Sequence, residues 1–238
     1  MPAVSLGPVF LLAIIFSSGL ASAQSSSTNL VLGKAYEKDK GKFLYSEQYS
    51  CSEQGLLCTV EYSNGAGELF AIKRLDFRLS AVGPSLVMSD YRNQKELSIA
   101  ASENDKLVID AGFDNFVRSI WEELSDGAKF SFPFLPAGFS KPVNMKVLRS
   151  KKKDCDAEQL CLVIKMDSWI LAMVVAPIEL SYLRSNRRLL HFSGMGNIKD
   201  NNGKTQSVDI HYEYLEDVLP IEPAWKAQPL LLISNGVK

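Results

Sequence analysis

Two kinds of hydrophobic spacing divide the chain. Most of it alternates with a period of two. In Phe43-Leu44-Tyr45-Ser46-Glu47-Gln48-Tyr49-Ser50-Cys51, the side chains of Phe43, Tyr45, Glu47, Tyr49 and Cys51 share one face of a strand. SEQG at 52–55 predicts a turn, and Leu57–Tyr62 returns with Cys58, Val60 and Tyr62 on a common face. Asn64-Gly65 is a strong hairpin signal that leads into Glu68–Phe77. The same reasoning predicts strands over Ser85–Ser89, Lys95–Ser102, Lys106–Ile109, Lys129–Phe134, Val143–Arg149, Leu160–Met166, Glu179–Tyr182, Arg188–Ser193 and Gln206–Tyr214. Trp169–Val175 (WILAMVV) is apolar all round, which fits a fully buried strand or a short buried helix.

One stretch follows the helical period. Phe113, Phe116, Val117, Ile120, Trp121 and Leu124 fall at i, i+3, i+4, i+7, i+8 and i+11, a continuous apolar stripe. Arg118, Glu122, Glu123 and Asp126 take the opposite face, Asp114 is the expected N-cap, and Gly127 is the expected left-handed residue past the end. A helix this short does not persist alone in water, so its stripe must lie on a sheet. The expected fold is therefore mainly β: a curved antiparallel sheet or half-barrel with one amphipathic helix packed on its concave face.

The ends add a compartment. Val9–Phe16 is apolar and is followed by Ala21-Ser22-Ala23, an A-x-A cleavage pattern, so residues 1–23 read as a signal peptide, although without Lys or Arg at the start. No Cys lies at the cleavage region, and no later apolar run reaches membrane-spanning length. The expectation is an exported, periplasmic protein with a single β-rich domain over 24–238 and an irregular tail from about 219. The cysteines fit export. Local pairing, Cys51–Cys58 and Cys155–Cys161, is one of three connectivities and would pin two hairpins. A four-Cys zinc site is the alternative, but its spacings are looser than metal knuckles use.

Composition narrows the function classes. Net charge is −1, which gives no electrostatic case for nucleic acid. The basic run Lys146–Lys153 reads as a solvated hairpin end before it reads as a polyanion site. His191 and His211 sit inside strands, and no nucleophile elbow, Walker loop or metalloprotease motif is present. No enzyme, cofactor or metal is expected. The polar anomaly is Glu47 between Tyr45 and Tyr49. If that face points inward the carboxylate needs a partner, and Lys73 is the candidate. Alternation also permits the opposite facing, with Glu47 in water and Leu44 packed, and that facing is the favoured one.

An exported chain of consecutive antiparallel strands interrupted by an aromatic helix resembles the half-barrel lipoprotein and lipid carriers of the bacterial periplasm. The Tyr45–Tyr49, Phe113–Trp121 and Gly194–Asp200 stretches resemble uncharacterised exported proteins of Gram-negative bacteria. The first resemblance implies a carrier for a lipid or other apolar ligand, with Phe113, Phe116, Val117, Ile120 and Trp121 walling a cavity and Tyr45, Glu47 and Lys73 forming its polar floor. The alternative is an envelope interaction or assembly module with a filled core that uses exposed strand edges for protein partners. A hydrolase using Glu47 or Asp90 ranks last.

Overall fold

The structure is a computed structural model that describes residues 29–52, 55–104, 106–151 and 155–215. The expected signal peptide and tail lie outside the described residues. The strands are β1 (Asn29–Glu37), β2 (Phe43–Ser52), β3 (Leu57–Ser63), β4 (Leu69–Asp76), β5 (Ser85–Asp90), β6 (Lys95–Ile99), β7 (Val108–Ile109), β8 (Lys129–Leu135), β9 (Val143–Arg149), β10 (Gln159–Met166), β11 (Ile178–Leu183), β12 (Leu189–Lys199) and β13 (Thr205–Tyr214). They form one 13-stranded sheet in the order β6-β5-β4-β3-β2-β1-β13-β12-β11-β10-β9-β8-β7. Two meanders thus meet where the first strand pairs the last, from Val31 opposite Tyr214 to Glu37 opposite Val208. Every neighbouring pair is antiparallel except β7 and β8, which a helical crossover joins in parallel.

Register carries one inner face through the sheet. Tyr45, Glu47 and Tyr49 of β2 lie in rows with Ala35 and Gly33 of β1 and with Tyr62 and Val60 of β3. The rows continue through Lys73 and Met88 on one side and through Tyr212, Ile210, Phe192, Leu180 and Leu162 on the other. This face is concave, because strands far apart in the order meet across it. Lys73 Nζ of β4 reaches Asp110 Oδ2, just after β7, at 2.9 Å. At the rim, the Arg92 guanidinium lies 3.5 Å over the Phe70 ring and donates to the Lys199 carbonyl of β12 at 2.8 Å. The short β7 is tied to the β4–β5 connection by a bond from Ile109 N–H to the Val82 carbonyl at 2.9 Å.

The predicted helix lies on this concave side, in two pieces: α1 (Gly112–Ser119) and α2 (Trp121–Ser125). Ile120 leaves helical geometry at φ −112°, ψ 27°. The cause is local: the Ser119 hydroxyl donates to the Phe116 carbonyl at 2.7 Å, and the Ile120 N–H to that oxygen is stretched to 3.3 Å. The stripe still packs. Val117, Trp121 and Leu124 are buried with Leu162, Leu180 and Tyr182, and Trp121 meets Tyr182 edge-on at 5.8 Å. Burying such a ring removes roughly 200 Å2 from water, on the order of 5 kcal/mol of gross stabilisation. Gly112 is required here, because a Cβ on it would stand 2.0 Å from the Val82 carbonyl oxygen.

Several expectations are corrected. Asp114 is not the N-cap, which is Ala111 without a side-chain cap; Asp114 sits in the first turn and pairs with Arg118 at 2.7 Å. Arg118 does not face water with Glu122 and Glu123; its side chain is only 17% exposed. Gly127 does close the helix at φ 94°. The strand expected at Lys106–Ile109 shrinks to Val108–Ile109, and Lys95–Ser102 ends at Ile99. Trp169–Val175 is neither a buried strand nor a buried helix. It is an exposed loop with a single 3-10 turn at Leu171–Met173.

Both local disulfides are present, Cys51–Cys58 and Cys155–Cys161. Cys51 and Cys58 are directly opposed across β2 and β3, so the bond fixes that hairpin's register. Two disulfides point to an oxidising, exported environment. Among the described residues no helix is long and apolar enough to cross a membrane.

Candidate functional site

The inner face carries a buried polar cluster, and it is built from the sequence's own anomaly. Alternation in β2 puts Tyr45, Glu47 and Tyr49 on one side, and register with β1 and β13 decides that this side is inside. Glu47 is 4% exposed and Tyr45 2%, so the favoured solvent-facing reading is reversed. Glu47 Oε2 accepts from Tyr49 OH at 2.8 Å and Tyr212 OH at 3.3 Å. Gly33, between Glu47 and Tyr212 in the row, makes room for this. A Cβ there would stand 2.9 Å from the Tyr212 ring.

Lys73, two strands from Glu47, is buried beside it, as the inward-facing alternative required. Its nearest partner is a residue that the sequence reading missed. Asp110 accepts from Lys73 through Oδ2 at 2.9 Å and from Asn197 Nδ2 through Oδ1 at 2.6 Å. The one local signal of Asp110 is a carboxylate placed directly after the apolar Leu107-Val108-Ile109 and before the helix. Its φ of 40° turns the chain from β7 into α1, a conformation that Asp tolerates better than most residues.

Electrostatics follow from burial. Burial raises the Glu47 carboxyl above its ordinary range, against the Lys73 charge and the two tyrosine hydroxyls that favour the ionised form. For Lys73, burial alone would lower the ammonium, but Asp110, Tyr62 and Glu47 together outweigh it and hold the charge on. Burial also raises Tyr45, Tyr49, Tyr62 and Tyr212, so these phenols stay protonated. The cluster therefore contains a locked ammonium, neutral phenols and carboxylates that accept hydrogen bonds. Among the described residues no group of three or more His, Cys, Asp or Glu is arranged to hold a metal.

The remaining expected site residues stand apart from this cluster. Phe113, Phe116, Val117, Ile120 and Trp121 belong to the apolar half of the inner face. Phe113 lies 5.6 Å from the Phe132 ring and Phe116 lies 4.7 Å from it. The stripe thus meets β8 aromatics and Tyr182. The two groups are linked through Asp110, which precedes α1 and bonds Lys73, and through Phe192, which packs against both. Two open surface depressions lie elsewhere: one of about 410 Å3 along Gly127, Lys129, Arg149 and Lys151, and one of about 500 Å3 over the Cys51–Cys58 hairpin. Neither lies between helix and sheet. The outer face holds the histidines: His191 and His211 stack at 4.7 Å, with His191 Nε2 3.6 Å from Asp209. Burial, then the neighbouring His211, lowers the pKa of His191.

No known protein-family model matches the chain, and no curated protein matches it.

Proposed function

We propose that this is an exported interaction module of the bacterial envelope, with a filled core, that engages a protein partner through an open strand edge. The supporting observation is the fate of the helix stripe. Trp121, Val117 and Leu124 are buried against Leu162, Leu180 and Tyr182, so the aromatic surface that would wall a ligand cavity is used in packing. Meanwhile β6 ends the sheet with Lys95, Glu96 and Ser98 exposed. An edge strand offers unpaired backbone groups for strand addition, and its Lys and Glu deter indiscriminate pairing. The signal peptide at 1–23 and a periplasmic address belong to this reading, with the disulfides as support.

The test is affinity purification of the protein from its host, with and without Ser98→Pro in β6. A co-purifying protein present with the parent chain and lost with the variant is the expected result. Native mass spectrometry of the same sample separates the carrier reading. A lipid that repeatedly accompanies the protein, with no protein partner, would overturn the module and restore a carrier.

A further inference from the structure

The largest exposed apolar feature is not the helix but the loop from β10 to β11. Trp169 is 73% exposed, Met173 69% and Val174 78%, with Ile170 and Leu171 also exposed. Contiguous apolar surface of this kind marks an interaction site. It is a protruding turn, not a groove or a strand edge. Four N–H groups of its tip are satisfied internally. The N–H groups of Ala172, Met173, Val174 and Val175 donate to Ser168, Ile170, Leu171 and Leu171 at 2.9 to 3.2 Å. Such a turn cannot add as a strand to another sheet, yet it enters hydrocarbon without stranding those donors.

The flanking loops supply charge. Phe139, 50% exposed, and Lys141 stand on the β8–β9 loop, and Lys199 and Lys204 bracket the β12–β13 turn at the same end of the sheet. Among the described residues these three lysines have no side-chain partner, whereas nearby carboxylates are engaged. Asp167 pairs with Lys146, and Asp200 accepts from the N–H groups of Asn202 and Lys204 at 2.9 and 2.8 Å. An apolar tip with a Trp, with unpaired lysines on loops at the same end of the sheet, is complementary to an anionic bilayer surface: hydrocarbon for the tip, headgroups for the lysines.

We infer that the rim around Trp169–Val175 docks this protein onto an anionic lipid surface, with the loop inserted into the headgroup–acyl boundary. This surface is distinct from the β6 edge and does not depend on it.

The experiment is co-sedimentation of the full chain with phosphatidylglycerol-containing vesicles and with pure phosphatidylcholine vesicles. The parent chain is expected to sediment with the anionic vesicles, and several-fold less in high salt. Met173→Asp/Val174→Asp changes only exposed positions and is expected to lower partitioning about tenfold or more, with an unchanged circular dichroism spectrum. Lys141→Glu/Lys199→Glu is expected to abolish the preference for anionic vesicles. Any binding through the apolar Val9–Phe16 run is common to parent and variants, so equal binding by parent and loop variant overturns the inference. Absence of binding by the parent overturns it too. So does a parent dimer that the loop variant converts to monomer without any vesicle binding, because the occupant is then a second copy.

Discussion

The inner face is held in two different ways. Across β8–β11 it is apolar: Leu160, Leu162, Ile164, Met145 and Val147 are buried under Val117, Trp121 and Leu124. Across β12, β13 and β1–β5 it is laced with hydroxyls and charge: Tyr45, Tyr62, Glu47 and Lys73, closed by Asp110 from the far end of the sheet. Dispersion and hydrophobic burial stabilise the first half but tolerate slippage. A hydrogen-bonded ion pair is geometrically stricter, and this one joins β4 to the segment just after β7 across the face.

That difference predicts similar losses on truncation but opposite responses to a compensating second substitution. Asp110→Ala leaves a buried ammonium unpaired and is expected to lose about 3–5 kcal/mol in urea unfolding. The uncharged double variant Lys73→Met/Asp110→Asn is expected to recover most of the loss, because it removes both desolvated charges and keeps a residue that tolerates the φ of 40°. If the double variant unfolds as easily as the single one, the pair does more than close the roll. Trp121→Ala in the other half is also expected to lose about 3–5 kcal/mol, and a polar partner cannot restore it, since the loss is one of volume. Trp169→Ala serves as the control. That ring is 73% exposed, so stability is expected to stay within about 0.5 kcal/mol.

A smaller effect is expected at the hairpin between β2 and β3. The Cys51–Cys58 bond spans 7 residues at directly opposed positions. Replacing both cysteines by alanine is expected to reduce stability by about 2 kcal/mol, read as a shift in the urea midpoint. Since the hairpin's own inner residues Val60 and Tyr62 are buried, the fold is expected to survive.

How much of this was readable beforehand follows from the range of each interaction. The β2–β3 hairpin and its disulfide were legible because alternation and a turn are local. So was the helix stripe, since its spacing is intrinsic to the segment. The kink at Ile120 was not, because it comes from one serine hydroxyl bonding back to a carbonyl. Alternation told which residues accompany Glu47 but not which side is inside; that was decided by β13, far along the chain. Asp110 was missed because its partners stand 37 and 87 residues away. Trp169–Val175 misled because local hydrophobicity reports a demand for burial and says nothing about whether any partner within the chain meets it.

The subtlest consequence of the comparison lies in the pH dependence of the polar half. Glu47 is buried, and its carboxyl is raised, first by burial. A carboxyl whose folded pKa exceeds its unfolded one binds its proton more tightly when folded. Its contribution to stability is therefore fully present below the ordinary glutamate range, near pH 4, and is lost as pH rises through the raised value. Glu47→Gln keeps an acceptor for Tyr49 and Tyr212 but cannot ionise. The stability of the variant relative to the parent is expected to climb from acid toward neutral pH and then level off. Taking the difference between the two proteins cancels the titration of groups that do not interact with Glu47. A difference that stays flat would mean that Lys73 and the two phenols offset burial, and one that falls over that window would mean that they outweigh it.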